Sequence, residues 1–331
     1  MSDLFDKSIR TLELPRVLEL LSEQAVSAEA RQRALRLRPE TEVEEVLRLL
    51  DQTDAARNLI GLRGSPSFSG VKPVAEALDR ADRGGALNTR ELRNIADLLT
   101  AARRAKEYFN DEAAEKTAID HLFLSLHGNR FLEDKIRRCI ADENTVADAA
   151  SPELASIRRK IRQQSAKIRE SLQKIITSPS YAKILQEPIV TIRSDRFVVP
   201  VKAECKGQLP GLVHDVSSSG STYFIEPMSA VNGNNELREL FMAERKEIER
   251  ILAELSAESA DHREQIKLDY DVLLELECIF ARARLSFAMR AICPEVRTDG
   301  QLNLIRARHP LITGKTVVPI SVRLGSDFDT L

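Results

Sequence analysis

In residues 181–227, YAKILQEPIVTIRSDRFVVPVKAECKGQLPGLVHDVSSSGSTYFIEP, β-branched and aromatic residues recur with period two between turn residues, inside a chain patterned mostly for helices. Ile189, Thr191 and Arg193 fall on one side of a strand and Val190 and Ile192 on the other. Phe197-Val198-Val199 resumes after the polar turn Arg193-Ser194-Asp195-Arg196. Pro200 cannot donate to a ladder and marks a strand end or an edge, and Gly207, Pro210 and Gly211 break the chain before Leu212-Val213-His214. A hydroxyl-rich turn over 215–221 and a last strand over 222–225 complete a small predicted sheet.

Outward from this sheet, both flanks carry narrow apolar seams of helical spacing. Before it, Leu154, Ile157, Ile161, Ile168, Leu172 and Ile175 recur at steps of three, four and seven, with Gln164 and Ser165 in the missing seam turn. After it come Leu237, Phe241, Ile248, Ile251, Leu252, Leu255, His262 and Ile266. A helix over 152–177 reaches roughly 40 Å at about 1.5 Å per residue. The two seams therefore predict a long antiparallel two-helix arm with the sheet at its end. Ser151-Pro152-Glu153 supplies a cap, a first-turn proline and an acid at the positive end of the dipole.

The remaining segments read as a helical bundle with short connections. Leu12, Val17, Leu18, Leu20 and Leu21 mark a first helix, and Val46, Leu47, Leu50 and Leu59 one over 43–62. Val74, Ala77, Leu78 and Ala81 mark a short helix closed by Gly84-Gly85, and a helix capped by Asn88 or Thr89 buries Leu92, Ile95, Leu98, Leu99 and Ala102. Residues 272–291 are apolar on more than one face and return to the bundle. From Val296 the pattern changes to short strands, Leu302-Asn303-Leu304-Ile305 and residues 317–322, which open a further domain and imply a chain truncated at its C-terminus. The predicted fold class is mainly α, divided into residues 1–151, 152–268 with the sheet at 188–226, 269–295 and 296–331.

With 331 residues, 43% hydrophobic and 30% charged, the chain can bury a sizeable core, and a net charge of −2 confines any nucleic-acid contact to a local patch. Cys139, Cys205, Cys278 and Cys293 lie far apart with no CxxC pair, which indicates reduced cytoplasmic thiols rather than a disulfide framework or zinc site. No apolar run is long enough to span a bilayer.

Four short motifs in order, DAASPELASIR (148–158), RFVVPVK (196–202), VHDVSSSGST (213–222) through IEP (225–227), and ARHPLI (307–312), resemble the MutS family, and more narrowly its second bacterial branch, MutS-II. The resemblance spans essentially the whole chain. It implies that residues up to 295 are the lever and clamp, and that Val296 onward enters an ABC-type ATPase domain. It further implies a homodimer that uses ATP and magnesium and carries a distant Smr-type nuclease domain. The implied targets are branched DNA, in limiting recombination, or the RNA of stalled, collided ribosomes.

The residues themselves indicate no catalytic or metal centre, no cofactor bound by this segment, and no enzymatic activity of the segment alone. Gly314-Lys315-Thr316 lacks the first glycine of a phosphate loop, because His309 stands there. The turn Ser217-Ser218-Ser219-Gly220 is either a phosphate cradle or a tight structural turn. Arg158, Arg159, Arg162 and Lys167 form a basic row suited to phosphates, opposed by a return helix rich in glutamate that could neutralise it. Arg193, Arg196, Lys202 and Lys206 lie on or beside the strand turns, where they reach a nucleic-acid backbone or guard a sheet edge. The leading expectation is nucleic-acid engagement through these residues. The alternative is a structural or dimerisation module whose arm contacts only protein.

Overall fold

The computed structural model describes residues 2–109, 116–312 and 317–325. Eleven helices are described in chain order: α1 (Ser2–Thr11), α2 (Leu14–Glu23), α3 (Ala28–Leu35), α4 (Val43–Arg63), α5 (Ala75–Asp82), α6 (Thr89–Tyr108), α7 (Asp120–Ser125), α8 (Arg130–Cys139), α9 (Pro152–Ile176), α10 (Met228–Asp261) and α11 (Arg263–Met289). The strands are β1 (Thr191–Arg193), β2 (Arg196–Lys202), β3 (Gly211–Val216), β4 (Thr222–Pro227), β5 (Leu302–Ala307) and β6 (Ile320–Leu324). Gly314-Lys315-Thr316 lies outside the described residues. The molecule is mostly helical with small antiparallel sheets. Its chain divides into two compact units, one of Met1–Gly85, Arg90–Ile136 and Ala257–Leu331 and the other of Ala86–Thr89 and Arg137–Ser256.

In the first unit α11 is the spine. Val272, Leu273, Leu274, Leu276, Ile279, Phe280, Ala281 and Ala283 are all buried, so the helix is apolar on more than one face and packs against α2, α3, α4, α5 and α7. Phe280 meets Phe68, Tyr108 and Phe123 at ring-centroid distances of 5.8, 6.0 and 6.2 Å. Two buried acids on this spine each hold a pair of consecutive backbone N–H groups. Glu277 accepts from Val26 and Ser27, both at 2.7 Å, and Asp269 accepts from His127 and Gly128 at 2.7 and 2.9 Å. Each carboxylate thus fixes a turn between helices, the first of them at the start of α3.

α3 itself was not marked by any apolar periodicity. Its buried residues are only Ala30 and Ala34, and its start is set by Ser27, whose hydroxyl accepts from the Ala30 N–H. The strands β5 and β6 pair antiparallel, with an irregularity between Leu304 and Ala307.

In the second unit α9 and α10 run antiparallel. Ser151 Oγ donates to Glu247 at 2.7 Å, Arg158 Nε to Glu244 at 2.6 Å, and farther along α9 Ile168 faces Gly233, where an added Cβ would come within 2.8 Å of Ile168 Cγ1. The Ile168 side chain fills the space that a Cβ at Gly233 would need. The sheet, in order β1-β2-β4-β3 with antiparallel pairs, packs on this end of the helices. Ile168, Leu172 and Ile176 of α9 join Phe197, Val199, Val201, Ile225, Ala230 and Leu237 in one core.

The seam does not stay apolar along its whole length. Phe241, assigned to it from spacing, is 39% exposed. The inward positions next along α10 are taken by Glu244 and Glu247, which meet Arg158 and the capping Ser151 at the start of α9. His262, also assigned to the seam, is the non-helical residue between α10 and α11.

Two outcomes follow from these buried acids. Glu277→Ala leaves two backbone donors without their acceptor and should lower the unfolding free energy by about 3 kcal/mol, read from denaturant midpoints; Glu277→Gln, which keeps an acceptor oxygen, should lose less. Arg250 beside Glu247, with Ser151 also donating, pulls that carboxyl down to about 2. Its contribution is present above the ordinary carboxylate value near 4.5 and is lost as pH falls towards 2. Stability measured across that acid range should therefore fall less steeply in Glu247→Gln than in the parent chain.

Candidate nucleic-acid interface

The sheet is held to α10 by a hydrogen-bonded network around one carboxylate. Glu226, on β4, is fully buried. Arg196 Nη1 donates to its two oxygens at 2.7 and 3.0 Å, Asn234 Nδ2 donates to Oε1 at 2.6 Å, and His214 Nε2 lies 2.5 Å from Oε2. The second arm of the Arg196 guanidinium donates to Asn235 Oδ1 at 2.7 Å. Strands β2, β3 and β4 and the first turns of α10 thus meet at one charge, and each polar group there finds a partner.

Asn234 does a second task. The β2–β4 ladder runs from Val199↔Ile225 to Lys202↔Thr222, and β4 ends at Pro227 as α10 begins. Beyond that point Phe197 has no strand beside it on this side. The Asn234 side chain takes the place of a strand residue, accepting from the Phe197 N–H and donating to its carbonyl, both at 3.1 Å. At the opposite margin Gly211 lies so close to β4 that a Cβ would stand 2.3 Å from the Glu226 carbonyl oxygen, so only glycine fits there.

The cations named from sequence divide into two kinds. Arg196 is committed to Glu226 and Asn235, with 15% of its side chain exposed, and Arg158 bridges Asp148 and Glu244 with 18% exposed. These two are held by internal acids. Arg162 reaches Asp148 at 3.4 Å but stays 65% exposed. Arg159 and Lys167 are exposed on α9, and Lys167 lines a shallow groove whose walls include Glu236, Glu239, Leu240 and Ala243. On the sheet, Arg193 lies over the Phe224 ring at 4.3 Å and pairs with Asp215 at 3.4 Å. Lys206 lies over Tyr223 at 4.5 Å, and Lys202 is half-buried at the end of β2. The aromatic faces position Arg193 and Lys206 without themselves neutralising them.

The serine turn between β3 and β4 closes mostly on itself. The Ser217 N–H donates to the Thr222 carbonyl at 2.9 Å, Gly220 N–H to the Ser217 carbonyl at 2.8 Å, and Thr222 N–H to Ser217 Oγ at 3.1 Å. Ser219 Oγ lies 3.3 Å from Ser217 Oγ and 2.8 Å from Ser221 Oγ. Gly220, at φ 72°, takes the left-handed position of the turn. These bonds are those of a tight hairpin loop. Among the described residues no cluster of three or more His, Cys, Asp or Glu could hold a metal, and no helix is long and apolar enough to cross a membrane.

Sequence reasoning missed Glu226, Asn234 and Asn235. The available signal was a single acid inside the apolar strand Tyr223-Phe224-Ile225-Glu226, because a charge there must be met by donors from neighbouring elements. Glu226→Ala leaves Arg196 without its acid and should destabilise the second unit by about 3 kcal/mol or more, with hydrogen exchange rising in β2, β3 and the start of α10; unchanged protection there would rule out the role given to the network.

No protein-family model matches the chain. It is similar to curated proteins named Endonuclease MutS2: 42% identical over 328 residues to that of Ruminiclostridium cellulolyticum, 42% over 327 to that of Agathobacter rectalis and 44% over 325 to that of Pelotomaculum thermopropionicum. Each similarity covers 98% of this chain, while the chain spans 41% of the length of each relative. At that identity over nearly every residue, with all four motifs inside the aligned length, the chain belongs to the MutS2 branch of the MutS family.

Proposed function

We propose that the second unit is a clamp that engages the sugar-phosphate backbone of nucleic acid. The observation that carries this reading is the split among its cations. Arg158 and Arg196 are satisfied within the fold, whereas Arg193 and Lys206 rest on aromatic rings, Arg193 also pairing with exposed Asp215, and Arg159, Lys167 and Arg162 stay exposed, Arg162 beside Asp148. Ring-supported cations keep their charge available, and phosphate contacts of this kind give sequence-independent, salt-sensitive binding.

In this reading, which the family resemblance suggests, the unit works within a longer, ATP-driven homodimer on branched DNA or on the RNA of stalled ribosomes. ATP and magnesium enter through the family alone, and none of the described residues is assigned to hold them. The relatives are named endonucleases; in this reading the described residues supply grip and not cleavage. A second reading, a module whose contacts are with protein, draws support from the edge strand β3, where Leu212, Val213 and Val216 are each 40% exposed or more.

Replacing Arg193, Lys202 and Lys206 with alanine should leave the fold intact and weaken binding to duplex DNA and to structured RNA alike. The logarithmic salt slope should flatten by about 0.9 for each duplex phosphate that is no longer neutralised, measured by fluorescence anisotropy at several salt concentrations. An unchanged slope for a folded variant would remove the sheet from the interface, and salt-insensitive self-association without nucleic-acid binding would favour the second reading.

A further inference from the structure

α10 looks acidic in sequence, yet part of its acid is turned inward, while Glu239 and Glu249 stay exposed beside its cations. Glu244 and Glu247 turn inward to Arg158 and Ser151. Arg238, Arg245 and Lys246 are exposed, and among the described residues no carboxylate pairs with any of the three. Met242 lies four residues from both Arg238 and Lys246 and three from Arg245, which makes it the surface neighbour of all three. Met242 is 65% exposed at its centre, and Phe241 at its margin is 39% exposed. Glu249, four residues beyond Arg245, bounds the patch.

This face continues from the sheet. Asn235, three residues before Arg238 and so on the same side of α10, holds the Arg196 guanidinium at 2.7 Å, and Arg196 closes the β1–β2 turn that begins at Arg193. The exposed cations of α10 thus follow on from the turn and span about 12 Å from Arg238 to Lys246, although Arg196 itself is held by Glu226. This face therefore combines cations with exposed apolar surface. A nucleic-acid backbone offers charge for the one and sugar rings for the other, and flexible Met242 can fit sugars without regard to sequence.

We propose that the outer face of α10, through Arg238, Arg245 and Lys246 with Met242 between them, is a second nucleic-acid contact, continuous with the sheet. This inference rests on the reading that the second unit binds nucleic acid. Arg and Lys contacts set the salt slope, whereas the apolar contact sets a salt-independent part of the affinity, so the two are separable.

The test uses the whole 331-residue chain with labelled duplex DNA and hairpin RNA, titrated at several salt concentrations and checked for folding by circular dichroism. The triple variant Arg238→Gln, Arg245→Gln, Lys246→Gln keeps good helix formers and should flatten the duplex slope by about 2.7 if each residue meets one phosphate. Met242→Ala should lower affinity several-fold at every salt concentration with the slope unchanged. If the parent chain binds with a steep slope that the folded triple variant retains, this inference is wrong while the sheet interface stands. If the triple variant changes self-association and not nucleic-acid binding, the face is an interface between copies and the inference is overturned. If the parent chain binds neither nucleic acid, the underlying reading fails and takes this one with it.

Discussion

A carboxylate removed from water has to be met by donors, and in this chain that requirement sets where the elements go. Glu226 gathers Arg196, His214 and Asn234 from two strands and a helix. Glu277 and Asp269 each fix a turn onto α11 through two backbone N–H groups. Buried Glu133 is held by Thr100 at 2.7 Å and Arg103 at 3.1 Å. Hydrophobic burial supplies the larger driving force, but it is non-directional. These acids supply direction, because each bonds donors on particular neighbours, although Glu277 Oε2 has no hydrogen-bond partner among the described residues.

The same requirement sorts the positive charge. A guanidinium held by acids of its own unit is less open to an outside partner, as with Arg196 on buried Glu226 and Arg158 between Glu244 and Asp148, although both lie in basic stretches of sequence. What remains outward is a sparser group. Part of it rests on the Tyr223 and Phe224 rings and part on exposed helix faces. An interface can therefore be cationic on a chain whose net charge is −2, because charge of opposite sign is sequestered inside.

Periodicity was enough to foresee the long helices, the strands around Pro200 and the start of α9, where Ser151, Pro152 and Glu153 each act locally. It was not enough for α3, whose alanine stripe carries little hydrophobic contrast. Nor could it show that the α9–α10 seam turns polar, since Glu244 reads as a surface residue until Arg158 is known to face it. The cations of the candidate interface could be named from sequence, but whether each was free depended on partners far away in the chain. Arg196 meets a residue 30 positions on and Arg158 one 86 positions on.

The bonds from Glu277 to Val26 and Ser27 join residues 251 and 250 positions apart. On a ribosome adding about 5–20 residues per second, the turn before α3 emerges roughly 12–50 s ahead of the acid that secures it. During that interval the early helices are without their spine. The second unit has its partners within Arg137–Ser256 apart from the short piece Ala86–Thr89, which precedes it, so it can close while the first is still waiting. Synthesis thus runs from an unfinished first unit, through a completed second one, to α11, whose arrival consolidates both ends of the chain's earliest segment.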